Sequence, residues 1–115
     1  MVANDIVYID LTEGLKRVMG NTKLYVKLLH KFKVEPSLEG LFAAVEAEDY
    51  QKAQVLAHTV KGIAANLSLT ELYEQSVKFE AQIKSRDIEP GAPESFKTCL
   101  EETIKNIDKV IEQYG

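Results

Sequence analysis

Apolar residues recur every three or four positions along most of the chain, which is the periodicity of an amphipathic helix. The alternating pattern of β-strands is nearly absent. The periodic segments run from Leu24 to Phe32, Leu38 to Val45, Ala53 to Leu67, Leu72 to Ile83 and Phe96 to Tyr114. The sequence therefore predicts an all-α chain.

Capping residues and helix breakers separate these segments. Asp10-Leu11-Thr12-Glu13 has the reciprocal pattern of a capping box and predicts a short first helix that ends at Gly20. Ser68-Leu69-Thr70-Glu71 has the same pattern, so we expect Ser68 to cap a helix directly after a sharp turn. The other predicted boundaries are a cap at Asn21 or Thr22, termination by Pro36, a restart at Ser37, a cap at Asp49 and a break at residues 90–93.

The sharp turn at Ser68 makes the two helices beside it an antiparallel hairpin. Helices joined by short loops bury their apolar stripes most simply as an up-and-down antiparallel four-helix bundle, here with short additional helices at the N-terminus. A length of 115 residues fits one domain, which we expect to span residues 1–115.

The charge and cysteine content narrow the classes of partner and site. The formal net charge is −4, from 14 Lys and Arg against 18 Asp and Glu, which disfavours nucleic acid and anionic membranes and favours protein partners. Cys99, the single cysteine, excludes an internal disulfide and a cysteine-cluster metal site. The first ten residues do not resemble a signal peptide, and no apolar run reaches about 18 residues. We therefore expect a cytoplasmic, monomeric chain without membrane insertion.

His58 is the residue that says most about function. At 100° per residue, the apolar stripe of its helix lies on one side and His58 lies on the opposite side. The residues that share its face are polar or very small, namely Gln51, Gln54, Lys61, Gly62 and Ala65. We interpret this face as a docking surface for a partner.

An exposed neutral imidazole is a nucleophile near pH 7 and can accept a phosphoryl group directly. Lys61 lies one turn along the same face and can stabilise the phosphoryl oxygens as a point charge. Gly62 costs roughly 1 kcal/mol relative to alanine inside a helix, which suggests that a partner's backbone comes close there. No metal cluster or nucleotide-binding motif accompanies His58, so we expect no cofactor on this chain. A visiting protein domain has to bring the phosphoryl donor and its divalent metal.

The segment Leu56 to Leu67 resembles the signature of histidine-containing phosphotransfer (HPt) domains, the carriers of multistep two-component phosphorelays. The similarity is strongest at His58, Lys61 and Gly62. Phe79-Glu80 is similar to the family's Leu-Glu pair near the end of the following helix, and residues 14–32 are similar to its opening helices. The family usually has glycine where this chain has Ser68, and we expect a helix-capping serine to serve the same turn.

This resemblance implies a four-helix bundle whose histidine accepts a phosphoryl group from one receiver-domain aspartate and passes it to another. His58 would be the acceptor, with Lys61 and Gly62 in supporting positions. The implied partners are receiver domains and a hybrid sensor histidine kinase, with the divalent metal held by the receiver. Because receivers bind this family beside the histidine, Leu11 and Tyr25 are further candidates for the docking patch.

Two other functions use a similar arrangement. A non-catalytic helical module could use this face only to dock a receiver or a kinase, but such a surface does not need a nucleophile beside a cation. The dimerising phosphoacceptor domain of a histidine kinase also exposes a helical histidine. That motif usually has an acidic residue directly after the histidine, where this chain has Thr59, and no ATP-binding segment follows. We therefore interpret the chain as a phosphocarrier without autokinase activity of its own.

Overall fold

The computed structural model describes residues 8–115, and the sequence-based expectation about the first ten residues falls mostly outside that range. Within it the chain is all-helical and contains no strand, as predicted. The six helices are α1 (Leu11–Arg17), α2 (Thr22–Lys33), α3 (Pro36–Glu46), α4 (Tyr50–Asn66), α5 (Thr70–Ser85) and α6 (Ala92–Tyr114).

Three of the predicted helix caps are confirmed. The side chains of Asp10, Asn21 and Asp49 accept hydrogen bonds from the backbone N–H groups three residues further on, at 3.0 to 3.2 Å. Each bond satisfies a donor that the first helical turn would otherwise leave free. The second half of the first capping box does not form, because the Asp10 N–H donates instead to the Ser68 carbonyl oxygen at 2.9 Å.

Two predicted helix starts differ from the structure. Helix α3 does not restart at Ser37: it begins at Pro36, and the Glu35 carboxylate caps it by accepting from the Ser37 N–H and hydroxyl. Proline suits this first position because its ring presets a helical φ and its missing N–H has no helical partner. Ser68 does not cap α5 either, since α5 follows Leu69 without any side-chain cap.

The reason for the second error is the backbone of the turn. Ser68 adopts a left-handed conformation with φ of 58°, a region that glycine enters without strain and serine does not. Ser68 is buried, and its Oγ has no hydrogen-bond partner among the described residues. The serine therefore occupies the geometry of a glycine and leaves its hydroxyl unsatisfied.

Helix α4 packs between its sequence neighbours α3 and α5, α5 also packs on α6, and α6 packs on α2. The buried face of α4 consists of Ala53, Ala57, Val60 and Ala64. Three alanines in four positions let the adjacent helices approach closely. Helical periodicity places Leu56 and Ile63 in the same apolar stripe, but both are only half-buried.

The stripes of the later helices agree better with the pattern. Leu72, Ser76, Phe79 and Ile83 of α5 are all buried. On α6 the predicted stripe is buried up to Val110, but Tyr114 is 43 % exposed in the last turn. Between the two helices the rings of Phe79 and Phe96 stack at a centroid distance of 5.0 Å. No helix within residues 8–115 combines the length and the apolar character that crossing a bilayer requires.

Candidate functional site

His58 lies in the middle of α4 on the side away from the core, in agreement with the predicted orientation. Its side chain is 71 % exposed, while Ala57 and Val60, which flank it in sequence on the inner face, are buried. The imidazole is therefore accessible to a macromolecule.

Glu80 of α5 joins His58 to Lys61. One of its carboxylate oxygens lies 3.2 Å from His58 Nδ1, and the other lies 2.7 Å from Lys61 Nζ. The antiparallel hairpin of α4 and α5 brings these side chains together although Glu80 follows His58 by 22 positions in sequence. Glu80 and Lys61 are 16 % and 27 % exposed, so only the histidine of this group extends fully into solvent.

The pKa of Glu80 lies below its ordinary value. Partial burial by itself would raise this pKa, but the hydrogen bond and charge of Lys61, with a smaller contribution from His58, outweigh burial and lower it. Glu80 is therefore an ionised carboxylate at neutral pH.

This ionisation fixes the chemistry of the imidazole. An ionised carboxylate can only accept hydrogen bonds, so the neutral ring carries its proton on Nδ1 and donates it to Glu80. The lone pair is then on Nε2, which points away from Glu80. Nε2 is therefore the ring nitrogen whose lone pair a visiting molecule can reach.

The other residues predicted for this face surround His58 without obstructing it. A methyl group added to Gly62 would meet nothing within 4 Å, so the surface beside the histidine is open. Gln51 is exposed, and Gln54 and Ala65 are half-buried. Together with Val55 and Thr59, the two glutamines and Glu80 line a shallow depression around His58.

The two docking candidates from the N-terminal region, Leu11 and Tyr25, differ in how far they are exposed. Leu11 is half-buried at the start of α1. Tyr25 is only 1 % exposed, and its hydroxyl donates to the Leu67 carbonyl oxygen at 2.6 Å. Burial and the neighbouring Asp10 carboxylate raise the pKa of Tyr25 to about 12, so the phenol stays protonated and keeps this bond. Tyr25 therefore holds α2 to the end of α4, and its assignment to the docking patch is wrong.

Sequence reasoning gave Glu80 no role of its own. The sequence signal was present in the Phe79-Glu80 pair, but the contact of Glu80 with His58 depends on the register of two antiparallel helices.

No group of three or more His, Cys, Asp or Glu side chains within residues 8–115 is arranged to hold a metal ion.

One comparison with known proteins identifies the family of this chain. The family model described as Hpt domain matches residues 29–109, which is more than half of the chain and includes α4, α5 and most of α6. No curated protein and no solved structure gives a significant match. The matched region contains His58, Lys61 and Glu80, and the chain belongs to the Hpt domain family.

Proposed function

We propose that this chain is a phosphorelay intermediate in which His58 accepts a phosphoryl group from one receiver-domain aspartate and transfers it to another. Membership of the Hpt family implies phosphotransfer in two-component signalling. The observation that carries the specific proposal is the exposed His58 ring, whose Nδ1 faces Glu80 and whose Nε2 is open to a partner.

The transfer step needs no group beyond those that the two proteins supply. The Nε2 lone pair attacks the phosphorus of an aspartyl phosphate, the N–P bond forms, and the P–O bond to the aspartate breaks. The aspartate leaves as a carboxylate with the bonding electron pair. The ring becomes cationic when the N–P bond forms, and the ionised Glu80 opposite Nδ1–H stabilises this charge. Transfer to the next receiver is the reverse reaction with another aspartate.

Lys61 and Glu80 have separate roles in this proposal. Glu80 is a positioning residue, because it holds the ring and fixes its tautomer from the side opposite the reacting nitrogen. Lys61 rests against Glu80 in the structure, within one helical turn of His58. Its flexible ammonium group can turn to the phosphoryl oxygens once they arrive, so the same cation serves both states.

The remaining proposals concern partners and setting. The partners are receiver domains, one of them within a hybrid sensor histidine kinase, and the receiver holds the divalent metal. We also propose that the protein is a cytoplasmic monomer with residues 1–115 as a single domain. An up-and-down four-helix bundle is supported by the successive packing of α3, α4, α5 and α6.

The decisive experiment is phosphoryl transfer from a labelled receiver domain. A panel of receiver domains is phosphorylated, and each is incubated with the wild-type chain, with His58→Gln and with His30→Gln. We expect acid-labile, base-stable label on the wild-type chain and on His30→Gln, and none on His58→Gln.

His30 is the matched control because it is the other histidine of the chain and is exposed on α2. Label on His58→Gln at the wild-type level would exclude His58 as the acceptor. Tight receiver binding that is indifferent to His58→Gln, without transfer from any receiver, would instead identify a docking module.

A further inference from the structure

The positive charge of the chain is concentrated in one short region. Residues 16–33 contain six of the 14 Lys and Arg residues and none of the 18 Asp and Glu residues. The segment therefore has a formal charge of +6 and the rest of the chain −10, which together give the overall −4. All six residues are exposed, at the end of α1 and along α2: Lys16, Arg17, Lys23, Lys27, Lys31 and Lys33.

An apolar groove lies beside this basic region. Val18, Leu28 and Ile63, all half-buried, contribute its apolar surface where α1, α2 and α4 meet. Arg17 and Lys31 also line the groove.

The lining of the groove has a net formal charge of +1, because it contains Arg17 and Lys31 against Glu35. Glu35 also lines the groove, but its carboxylate is bound to the backbone and hydroxyl of Ser37 at the start of α3. Arg17 has a long ion pair with Glu13 at 3.7 Å, in which both side chains are about half exposed. Within residues 8–115, no ion pair engages Lys31. Of the two cations that line the groove, Lys31 is therefore the more available to a partner.

The groove and the phosphotransfer site share helix α4. Thr59 lines the depression around His58, and Ile63, one turn further along, lines the groove. A protein domain placed over His58 and Gly62 is therefore adjacent to Lys31 and Leu28.

We propose that this groove selects the receiver, binding an apolar side chain flanked by carboxylates on the receiver's docking surface. This inference rests on the proposed phosphorelay function. A receiver that presents an aspartyl phosphate is anionic at its reactive face, and the net charge of this chain repels it at long range. The basic region reverses that field locally, which raises the rate of productive encounter for receivers with an acidic flank.

An acidic protein surface fits the region better than an anionic membrane. Basic amphipathic helices bind membranes by inserting their apolar face, but most of the apolar face of α2 packs in the core: Tyr25, Val26, Leu29 and Phe32 are buried, Leu28 is half-buried and Leu24 is 40 % exposed. What α2 exposes is a row of cations with Leu24 among them, beside the groove.

The test compares charge reversal at the groove with the same change elsewhere. Lys31→Glu is compared with Lys97→Glu, which changes an exposed lysine of α6. The probe is a phosphorylated receiver domain that labels the wild-type chain, and transfer is measured against receiver concentration and against salt. Binding of the unphosphorylated receiver is titrated in parallel.

We expect Lys31→Glu to raise the half-saturating receiver concentration and the dissociation constant about tenfold, with the saturating transfer rate unchanged. Lys31→Gln should give a smaller change in the same direction, and Lys97→Glu should give almost none. Helical circular dichroism checks that each variant is folded. The salt dependence of transfer should weaken in Lys31→Glu, because the attraction it removes is electrostatic.

Three results would overturn the inference. Equal effects of Lys31→Glu and Lys97→Glu would mean that only net charge matters. Unchanged receiver binding and transfer in Lys31→Glu, with Lys31-dependent binding to phosphatidylserine vesicles, would assign the basic region to a membrane surface. Absence of transfer to the wild-type chain from every receiver would refute the phosphorelay function itself and the inference with it.

Discussion

Helix α4 contributes to two regions that differ in the exposure of their polar groups. The first region lies around the middle of the helix, and we call it the His58 face. It exposes a histidine and pairs the charges beneath it, and it consists of His58, Lys61, Gly62 and Glu80. The second region is the α4–α5 turn at the C-terminal end of the helix, where the polar groups are buried. It consists of Leu67 and Ser68, with Gly14 and Tyr25 packed against them.

The two glycines of these regions illustrate the difference. A Cβ on Gly14 would lie 2.6 Å from the Tyr25 hydroxyl oxygen, whereas a Cβ on Gly62 would meet nothing within 4 Å. Both glycines lie inside a helix, where glycine is the least favourable residue apart from proline. At Gly14 the missing side chain makes room for the protein's own core, and at Gly62 it leaves room outside the protein.

The strongest test of this contrast is Gly14→Ala. The new methyl group would overlap the buried Tyr25 ring, and moving the ring would break its hydrogen bond to Leu67. Overpacking and the loss of a buried hydrogen bond together outweigh the gain in helix propensity, so we expect a loss of about 3 kcal/mol in the free energy of unfolding. Urea denaturation measures it. Phosphoryl transfer to His58 in the folded protein should be unchanged, and a variant as stable as the wild type would contradict the structural role given to Gly14.

A change of opposite sign is expected at Ser68. Ser68→Gly removes a buried hydroxyl without a partner and relieves the left-handed backbone, at some cost in chain entropy. We expect the free energy of unfolding to rise by about 1.5 kcal/mol. Ser68→Ala separates the two causes, because it removes the hydroxyl and keeps the strained backbone. A glycine variant less stable than the alanine variant would show that the backbone conformation is not strained.

Ser68 also marks the boundary of what the sequence predicts. Helical periodicity depends only on the chain itself, so it correctly predicts the buried face of α5 and the exposure of His58. The conformation of Ser68 and the burial of Tyr25 depend on neighbours distant in sequence. The apolar periodicity includes Tyr25, but its contact with Gly14 and its hydrogen bond to Leu67, which exclude it from the docking patch, appear only when α1, α2 and α4 are packed together.

The same limit applies at the site. The spacing of His58, Lys61 and Gly62 within one helix is visible in the sequence. The pairing with Glu80 is not, because it requires the register of α4 against α5. Charge clustering in residues 16–33 is visible in the sequence as well, but the groove beside it exists only when three helices meet.

Gly62→Ala tests whether the free space beside Gly62 on the His58 face is used by a partner. The methyl group has free space in the isolated protein, so helix propensity should raise the free energy of unfolding by about 1 kcal/mol. Receiver-dependent transfer should become roughly fivefold slower, which corresponds to about 1 kcal/mol in activation free energy, because the methyl group lies under the partner. Stopped-flow transfer and urea denaturation of the same samples measure both quantities. A more stable variant with unchanged transfer would show that the partner does not approach Gly62 closely.

The smallest effect is expected from Glu80→Gln, measured as stability against pH. Because the folded pKa of Glu80 lies below its ordinary value, its charge stabilises the fold above the unfolded pKa of about 4.3, and this contribution is lost as the pH falls through the folded value. We expect the wild type to exceed the variant by about 0.5–1 kcal/mol at pH 7, and the gap to narrow below about pH 4.

Glu102→Gln is the matched control, since it removes a carboxylate from an ion pair with Lys105 on the outside of α6. We expect this variant to lose less stability at pH 7 than Glu80→Gln, because solvent screens an exposed pair more effectively than one held between two helices. Urea denaturation at pH 7 and at pH 3.5 decides the matter for both variants. If the gap between wild type and Glu80→Gln stays constant over that range, Glu80 acts through its shape rather than its charge. The ionised acceptor that fixes the His58 tautomer would then be missing.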